Sequence, residues 1–301
     1  MKTSFLSLAA VAALASSAFA ASESTMTKVV AKRDNAKPTD TEILNYALTL
    51  EHLEATFYRT VLDKFSAADF KKAGYPDSAR KNFERLAAQE ADHVKFLETA
   101  LGSAAVHECH YQFGLTSPKS AIATARLLEN VGTAAYLGAA GDISNKAYLG
   151  AAGSILTVEA RHASYLNQLN GASGFPDAYE SGLTYSQVYS LAAPLIVPNT
   201  CGAAGDLPPG IQAFPALNFI TKIPRSGHKS AIEFTEKANY SGEYYGAFIA
   251  DGAIQYVKID KATQTVNVPK GLEGLVYLIV TTAPDSVAAA NTVAGPGVMY
   301  L

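Results

Sequence analysis

Two Glu-x-x-His pairs, Glu90/His93 and Glu159/His162, are the residues of this 301-residue sequence whose types and spacing most clearly suggest chemistry. Residues three positions apart on a helix lie one turn apart and about 60° apart around its axis, so each pair presents a carboxylate and an imidazole in the same direction. Carboxylate and imidazole together suit iron, manganese or zinc. The two pairs therefore predict half of a carboxylate-bridged two-metal site.

Two further glutamates could complete this site. Glu51 lies in an otherwise apolar stretch, and Glu129 is the only charged residue between Arg126 and Asp142. An ionised carboxylate buried in such surroundings is costly unless it is paired or bound to metal. A dinuclear centre in a four-helix bundle takes one Glu from each of two helices and a Glu-x-x-His pair from each of the other two. The order of the residues along this chain matches that requirement.

Neighbouring side chains on the same helical faces are candidates for supporting the ligands. Tyr58 follows Glu51 by seven positions, and Tyr136 follows Glu129 by seven. Each tyrosine thus lies two turns from a predicted ligand and could hydrogen-bond a carboxylate, or it could simply fill the core. Glu54 shares the face of Glu51 and competes with it for the ligand position. We assign the ligand role to Glu51 and a supporting role to Glu54.

The same pattern is also compatible with a helical bundle that binds no metal. The acids would then be neutralised by arginine side chains, or the protein would have kept the pattern and lost the ions. The arginines near the predicted site are Arg59, Arg126 and Arg161. A single Glu-x-x-His is common on a solvated helix face, whereas two copies with two well-placed partner acids favour the metal site.

Four segments of helical periodicity between residues 38 and 172 are expected to carry these side chains. Good N-terminal signals precede them, such as Thr39 with acids in the first turn and Ser117 followed by proline, and Gly102 follows the second segment. The segments begin near Thr39, Pro76, Ser117 and Ile143 and end near Phe65, Leu101, Ala140 and Leu169. Their lengths and connections allow antiparallel neighbours, which predicts a four-helix bundle.

The third and fourth of these helices are rich in glycine and alanine. The sequence Ala-Tyr-Leu-Gly-Ala-Ala-Gly occurs at 135–141 and again at 147–153. Glycine destabilises a helix interior by about 1 kcal/mol relative to alanine. Its retention here predicts very close contact between helices.

Composition and periodicity change after the fourth helix. Residues 173–229 are rich in glycine and proline, contain one short helical candidate at 185–196, and are predicted to form a wrapping linker. From residue 230 the apolar period becomes two, and Asp251-Gly252 marks a two-residue hairpin turn. Strands are expected at 245–250, 253–259, 265–268 and 275–281. The predicted fold class is α+β, a bundle followed by a small antiparallel β-sandwich-like domain at 230–301.

The first residues have the pattern of a secretory signal peptide. A basic residue precedes an apolar run that is too short to span a bilayer, and Ala18 and Ala20 occupy the small positions of a cleavage site. This predicts a signal peptide at 1–20. Residues 21–37 are expected to be a flexible segment, and cleavage after Arg33 would make part of it a pro-segment.

Export would place the two cysteines, Cys109 and Cys201, in an oxidising compartment that favours a disulfide between them. Two free buried thiols are the alternative. The ligand-rich run at 107–110 is therefore expected to hold a disulfide rather than an independent metal ion. Asn239 begins a glycosylation sequon, which is consistent with export. His52 and His228 are expected at the surface.

Composition limits the classes of partner. Hydrophobic residues make up 49% of the chain and charged residues 17%, which is enough to bury a large core. The net charge of -3, without a basic run, argues against nucleic acid or an anionic membrane surface as the main partner. No segment after the leader has the continuous apolar length of a membrane span. We expect a secreted protein, extracellular or in the cell wall.

Three stretches carry a resemblance to a known family: Ala-Leu-Thr-Leu-Glu-His-Leu-Glu-Ala-Thr-Phe-Tyr at 47–58, Glu-Ala-Asp-His at 90–93, and Ile-Leu-Thr-Val-Glu-Ala-Arg-His-Ala at 155–163. They are similar to the secreted ferritin-like domain family, which includes fungal stress-response and late-sexual-development proteins and plant desiccation-related proteins. The resemblance covers residues 38–172, and the later cysteine and the β tail look like the fungal members. It implies a di-iron-type bundle with the ligands Glu51, Glu90, His93, Glu129, Glu159 and His162.

These expectations combine into a secreted ferritin-like protein that holds two iron or manganese ions and handles oxygen or peroxide during stress or fungal development. A di-metal oxidase or a peroxide-scavenging activity would suit such a centre, but the resemblance names no reaction. The alternative is a structural or developmental protein of the cell wall or extracellular matrix. In that case the bundle would be a metal-poor scaffold and the β domain would serve attachment.

Overall fold

The computed structural model describes residues 37–201 and 207–301, so the predicted signal peptide and the site after Arg33 lie outside the described residues. Within those ranges, six α-helices precede seven β-strands. The helices are α1 (Asp40–Lys64), α2 (Ala67–Lys72), α3 (Ser78–Leu101), α4 (Pro118–Ala140), α5 (Lys146–Leu169) and α6 (Tyr185–Ala192). The long helices α1, α3, α4 and α5 form the predicted four-helix bundle, in which α1 packs along α3, α4 packs along α5, and α1 contacts α4.

Capping residues fix the helix ends close to the predicted positions. Thr39 and Ser117 cap α1 and α4 through capping boxes, which satisfy backbone N–H groups that lack a partner in the first turn. Helix α5 begins three residues later than predicted. Its cap is Asn145, whose side chain accepts a hydrogen bond from the backbone N–H of Ala147. The carboxylate of Asp40 also accepts hydrogen bonds from the two backbone N–H groups just before α5, which holds this corner against the start of α1.

Helix α4 is buried on nearly every side. One side packs in the bundle, and the other packs against the β-strands, where the Tyr277 hydroxyl donates to the carbonyl of Asn130 at 3.2 Å. The guanidinium of Arg126 lies 3.3 Å from the ring centroid of Tyr300, on the last strand. A helix with apolar side chains on all of its sides is expected where other elements pack against all of those sides. This position explains why Glu129 is the only charge in the second half of α4.

The glycines of the repeated Gly/Ala sequence have two different settings. A Cβ on Gly138 would overlap the carbonyl of Leu183, because residues 182–183 cross α4 here and the Leu183 N–H donates to the carbonyl of Ala134. In α5, a Cβ on Gly150 or Gly153 would meet nothing within 4 Å. The prediction of close helix–helix contact is therefore wrong for these glycines. The close contact in α4 is with a connecting segment, and α5 has open space.

Two antiparallel sheets make up the C-terminal region, as predicted for a sandwich. One has the strand order β1-β2-β5 and the other β4-β3-β6-β7. The strands are β1 (Leu217–Phe219), β2 (Lys229–Phe234), β3 (Tyr245–Ala250), β4 (Ala253–Lys258), β5 (Thr265–Asn267), β6 (Leu275–Thr281) and β7 (Thr292–Tyr300). Strand β1 lies inside the segment predicted to be only a linker, and pairs with β2. The predicted turn joins β3 to β4, with positive φ at both Asp251 and Gly252.

The larger sheet is buried on both faces. Phe248 and Leu278 point into the core between the two sheets, whereas Ala247, Tyr277 and Ile279 pack into the bundle core. A strand covered on both faces has a continuous apolar sequence instead of an alternating one. The bundle and one face of the larger sheet thus share a hydrophobic core, and the other face of this sheet belongs to a second core between the two sheets.

Cys109 and Cys201 form a disulfide with an S–S distance of 2.07 Å, so the alternative of two free thiols is wrong. The bond ties the long connection between α3 and α4 to the segment that follows α6. Backbone hydrogen bonds join the same segments, from Gln112 to Leu195 at 2.9 Å and from Val197 to His110 at 2.8 Å. In the described ranges, no helix combines the length and hydropathy that crossing a bilayer would require.

Candidate metal centre

The predicted ligands meet in the middle of the bundle. Helices α1 and α4 each contribute one glutamate, and α3 and α5 each contribute a glutamate and a histidine three residues later. The four glutamates have no exposed surface at all. The Glu-x-x-His spacing brings the glutamate and the histidine of α3 together, and likewise those of α5, because side chains at i and i+3 of a helix point in the same direction.

The ligand atoms form two groups that share Glu90 and Glu159. In each group the atoms lie within 4.8 Å of one another, which is a spacing that one metal ion could join. The first group is Glu51, Glu90, His93 and Glu159, and the second is Glu90, Glu129, Glu159 and His162. The two shared carboxylates would thus lie between two ions, with Glu51 and Glu129 at the two outer positions.

The histidines contact these carboxylates directly. Nδ1 of His93 lies 3.2 Å from Glu51, 3.1 Å from Glu90 and 3.4 Å from Glu159. Nδ1 of His162 lies 2.9 Å from Glu90 and 3.1 Å from Glu129. Both imidazoles therefore direct the same nitrogen at the cluster.

Burial and mutual repulsion make the cluster retain protons when no metal ion is bound. Burial, together with the nearby charge of Glu129, raises the pKa of Glu90 to about 7. Burial and the charge of Glu90 raise the pKa of Glu159 well above its usual range. Burial opposes protonation of the histidines, but their carboxylate contacts raise the pKa of His93 to about 12 and that of His162 to about 9. Protons thus partly supply the positive charge that divalent cations would supply.

Two buried tyrosines hold the outer carboxylates, and each does so across the bundle. The Tyr58 hydroxyl, on α1, donates to Glu129 of α4, and the Tyr136 hydroxyl, on α4, donates to Glu51 of α1. The sequence spacing predicts that each tyrosine lies on the same helix face as the glutamate of its own helix. In the structure its hydroxyl donates to the glutamate of the other helix. The two halves of the site are therefore related by an approximate two-fold arrangement. A hydrogen bond of this kind fixes the orientation of a ligand.

Gln89 is a supporting residue that the sequence did not reveal. Its side-chain oxygen lies 2.7 Å from Nε2 of His162 and can accept the ring proton there, which leaves Nδ1 as the lone-pair nitrogen facing the cluster. Gln89 is exposed, and it precedes Glu90 without any motif that marks it. The only available signal is its place beside a ligand, and a polar residue at that place is too common to be informative.

Gly132 provides the space for two of the acids. A Cβ at this position would lie 2.5 Å from Oε2 of Glu159 and 3.0 Å from Oε1 of Glu54. Glu54 is buried beside Glu159, outside the two ligand groups, and burial and the charge of Glu159 raise its pKa well above the usual range. Gly132 lies outside the repeated Gly/Ala sequence, and no sequence pattern marks it.

The donor set fits two metal ions. Among the described residues, Oε2 of Glu159 is buried without a hydrogen bond. Oε1 of Glu159 and Oε1 of Glu90 are also buried, with a histidine Nδ1 at 3.4 Å and 2.9 Å but no hydrogen bond of good geometry. Buried acceptors almost always have partners, and a buried carboxylate oxygen without one is expensive. A metal ion between the shared carboxylates would supply the missing partner.

The predicted metal-free alternative, in which arginines neutralise the acids, is wrong. Arg59 pairs with Glu108 at 2.6 Å, and Arg126 donates to Asn167 of α5 at 2.7 Å. Arg161 is exposed and forms no ion pair with a described acid of the cluster. His52 is also not at the surface as expected, since it is buried near Glu98.

Comparison with known proteins agrees with this geometry. Residues 39–172 match the family model described as ferritin-like domain. The chain is 31% identical over 182 residues to Protein rds1 of Schizosaccharomyces pombe (strain 972 / ATCC 24843), a stretch that covers 60% of this chain and 44% of that protein. The chain thus spans less than half the length of this curated relative. The resemblance seen in the sequence is confirmed, and the helical half of the chain, residues 39–172, is a ferritin-like domain.

Proposed function

We propose that this chain is a secreted protein whose ferritin-like domain binds two iron or manganese ions and handles oxygen or peroxide, in a stress response or in fungal development. The observation that carries the proposal is the pair of ligand groups that share Glu90 and Glu159 in the interior of the bundle. Shared carboxylates are typical of sites for two adjacent ions, and a purely structural bundle has no need of them.

The charge balance supports two divalent ions. Four ionised carboxylates carry a charge of -4, two neutral imidazoles carry none, and two divalent cations carry +4, so the loaded cluster is neutral. Without such ions, four buried carboxylates repel one another, and some remain protonated. A neutral cluster is the form that an apolar bundle accommodates best.

Each residue of the site has a distinct part in this proposal. Glu90 and Glu159 would bridge the ions, Glu51 and His93 would complete one side, and Glu129 and His162 the other. Iron or manganese, when bound, would supply the ability to exchange electrons with an oxidant. The tyrosine hydrogen bonds keep the outer carboxylates in place, and the bundle buries all four glutamates.

Secretion is supported by the disulfide, because such bonds persist mainly in oxidising compartments. The signal-peptide pattern at 1–20 points the same way. Asn239 lies exposed in the turn between β2 and β3, where an attached glycan would meet no obstruction from buried structure. N-terminal sequencing and glycan analysis of the protein from culture medium would test both points.

Metal analysis of the purified protein, produced with iron or manganese supplied, tests the proposal. We expect about two ions per chain and consumption of hydrogen peroxide by the loaded protein. A double variant, Glu90→Gln with Glu159→Gln, should stay folded and lose both ions, because neutral amides remove two negative charges without changing side-chain volume. A folded wild-type protein that carries no transition metal would contradict the proposal and favour the scaffold alternative.

A further inference from the structure

A groove of about 480 Å³ runs along the outside of the bundle between α3 and α5. His93 lines it, so the groove reaches from solvent to a predicted metal ligand. Phe96, which has 43% of its surface exposed, lies on the α3 side, and Ala151 and Ser154 lie on the α5 side. The groove and the ligand cluster are therefore adjacent, and His93 belongs to both.

The two histidines differ in what their second ring nitrogen meets. Nε2 of His162 is held by the side chain of Gln89, which lies over it. None of the described residues hydrogen-bonds Nε2 of His93, and this imidazole borders the groove. The two halves of the site are therefore alike in their ligands but differ in what surrounds the two histidines. One side of the centre is covered, and the other borders open space.

Small side chains of α5 keep this groove open. Ala151 and Ser154 lie where larger residues would fill it, and Gly150 and Gly153 next to them have no atoms within 4 Å of an added Cβ. The second copy of the Gly/Ala repeat therefore borders solvent-accessible space instead of a neighbouring helix. Asp92 and Arg161 flank the groove with opposite charges that cancel each other.

We propose that this groove is the route by which metal ions and small uncharged oxidants, such as hydrogen peroxide, reach the centre. The ion held by Glu51 and His93 is then the one that faces incoming molecules, and the ion held by Glu129 and His162 is the covered one. This inference rests on the proposed function, since it assumes that the cluster binds metal.

A removable block in the groove tests the proposal. Both native cysteines are in the disulfide, so Ser154→Cys introduces a single thiol at an exposed position in the groove wall. The folded, metal-free variant is labelled with a bulky maleimide, and cobalt binding is followed by stopped-flow absorption before and after labelling. Ala147→Cys, exposed on the same helix and outside the groove, is the matched control.

We expect the label at position 154 to slow cobalt loading on the order of tenfold without changing the final stoichiometry, and the label at position 147 to have no effect. Ala151→Trp, compared with Ala147→Trp, should give the same result without a label. Peroxide consumption by the manganese-loaded protein should slow in parallel.

Unchanged loading rates after labelling at 154 and in Ala151→Trp would overturn the groove as the access route and leave the metal site itself standing. Failure of the unlabelled wild-type protein to bind cobalt or manganese at all would overturn the proposed function and this inference together.

Discussion

Replacing Gly132 with alanine separates metal binding from folding more sharply than replacing a ligand. The added Cβ would lie 2.5 Å from Oε2 of Glu159, closer than a Cβ and an oxygen atom approach each other, so this carboxylate must move. The same Cβ would lie 3.0 Å from Oε1 of Glu54. Glu54 therefore cannot move freely into the space that the carboxylate of Glu159 leaves. The perturbation therefore acts on the position of one bridging group.

Two effects of Gly132→Ala on stability oppose each other. Alanine in place of glycine inside α4 favours the helix by about 1 kcal/mol. Overpacking of the core costs about 1–3 kcal/mol. The free energy of unfolding of the metal-free protein should therefore change by no more than about 2 kcal/mol. In the proposed site the displaced carboxylate would be a ligand of both ions. The affinity for each ion should therefore fall about 10–100-fold, as it does when a ligand loses its supporting contacts.

Urea denaturation of the metal-free protein and calorimetric titration with manganese measure the two effects separately. Gly153→Ala is the matched control, because a Cβ there meets nothing within 4 Å. It should stabilise the protein by about 1 kcal/mol and leave manganese binding unchanged. If Gly132→Ala bound two manganese ions with wild-type affinity, the assignment of Glu159 as a shared ligand would be refuted.

Three further predictions follow from the site and the fold. Tyr58→Phe removes the hydrogen bond to Glu129 and should weaken manganese binding about tenfold in the same titration, with Tyr240→Phe in the β region as a control without effect on binding. Folding raises the pKa of Glu90 from 4.5 to about 7 and that of His162 from 6.5 to about 9. The folded metal-free protein therefore binds more protons than the unfolded chain. Its free energy of unfolding falls as the pH rises through these two intervals. Manganese should therefore raise the melting temperature more at pH 8 than at pH 5.5; an equal or smaller rise at pH 8 would contradict the proton–metal competition. Reduction of the bond between Cys109 and Cys201, which are 92 residues apart, should lower the free energy of unfolding by about 4–5 kcal/mol, measured by urea denaturation with and without reductant.

Much of the site could be predicted because its members carry local signals. Glu129 is conspicuous in an apolar helix, and the i, i+3 spacing of Glu90 and His93 fixes their common direction whatever surrounds them. Gln89 and the exchange of tyrosines between helices depend on the distance and rotation between neighbouring helices. Those quantities are set by packing of the whole bundle, and no short sequence pattern encodes them.

The fold shows the same division between local and tertiary causes. Thr39 and Ser117 mark helix starts through their own hydrogen bonds, so the sequence located them well. Strand β1 has only three residues and is recognised by its pairing with β2. Strand β7 contains glycine and proline, which usually argue against a strand. Burial of the larger sheet on both faces also removes the alternation by which strands are recognised.

A crystal structure of the manganese-loaded protein, with anomalous difference density measured near the manganese absorption edge, tests the central claim most directly. We expect two peaks about 3.5–4 Å apart between Glu90 and Glu159, one next to His93 and the other next to His162. A map without a peak in the bundle, with Nδ1 of both histidines still contacting the carboxylates, would contradict the two-metal centre.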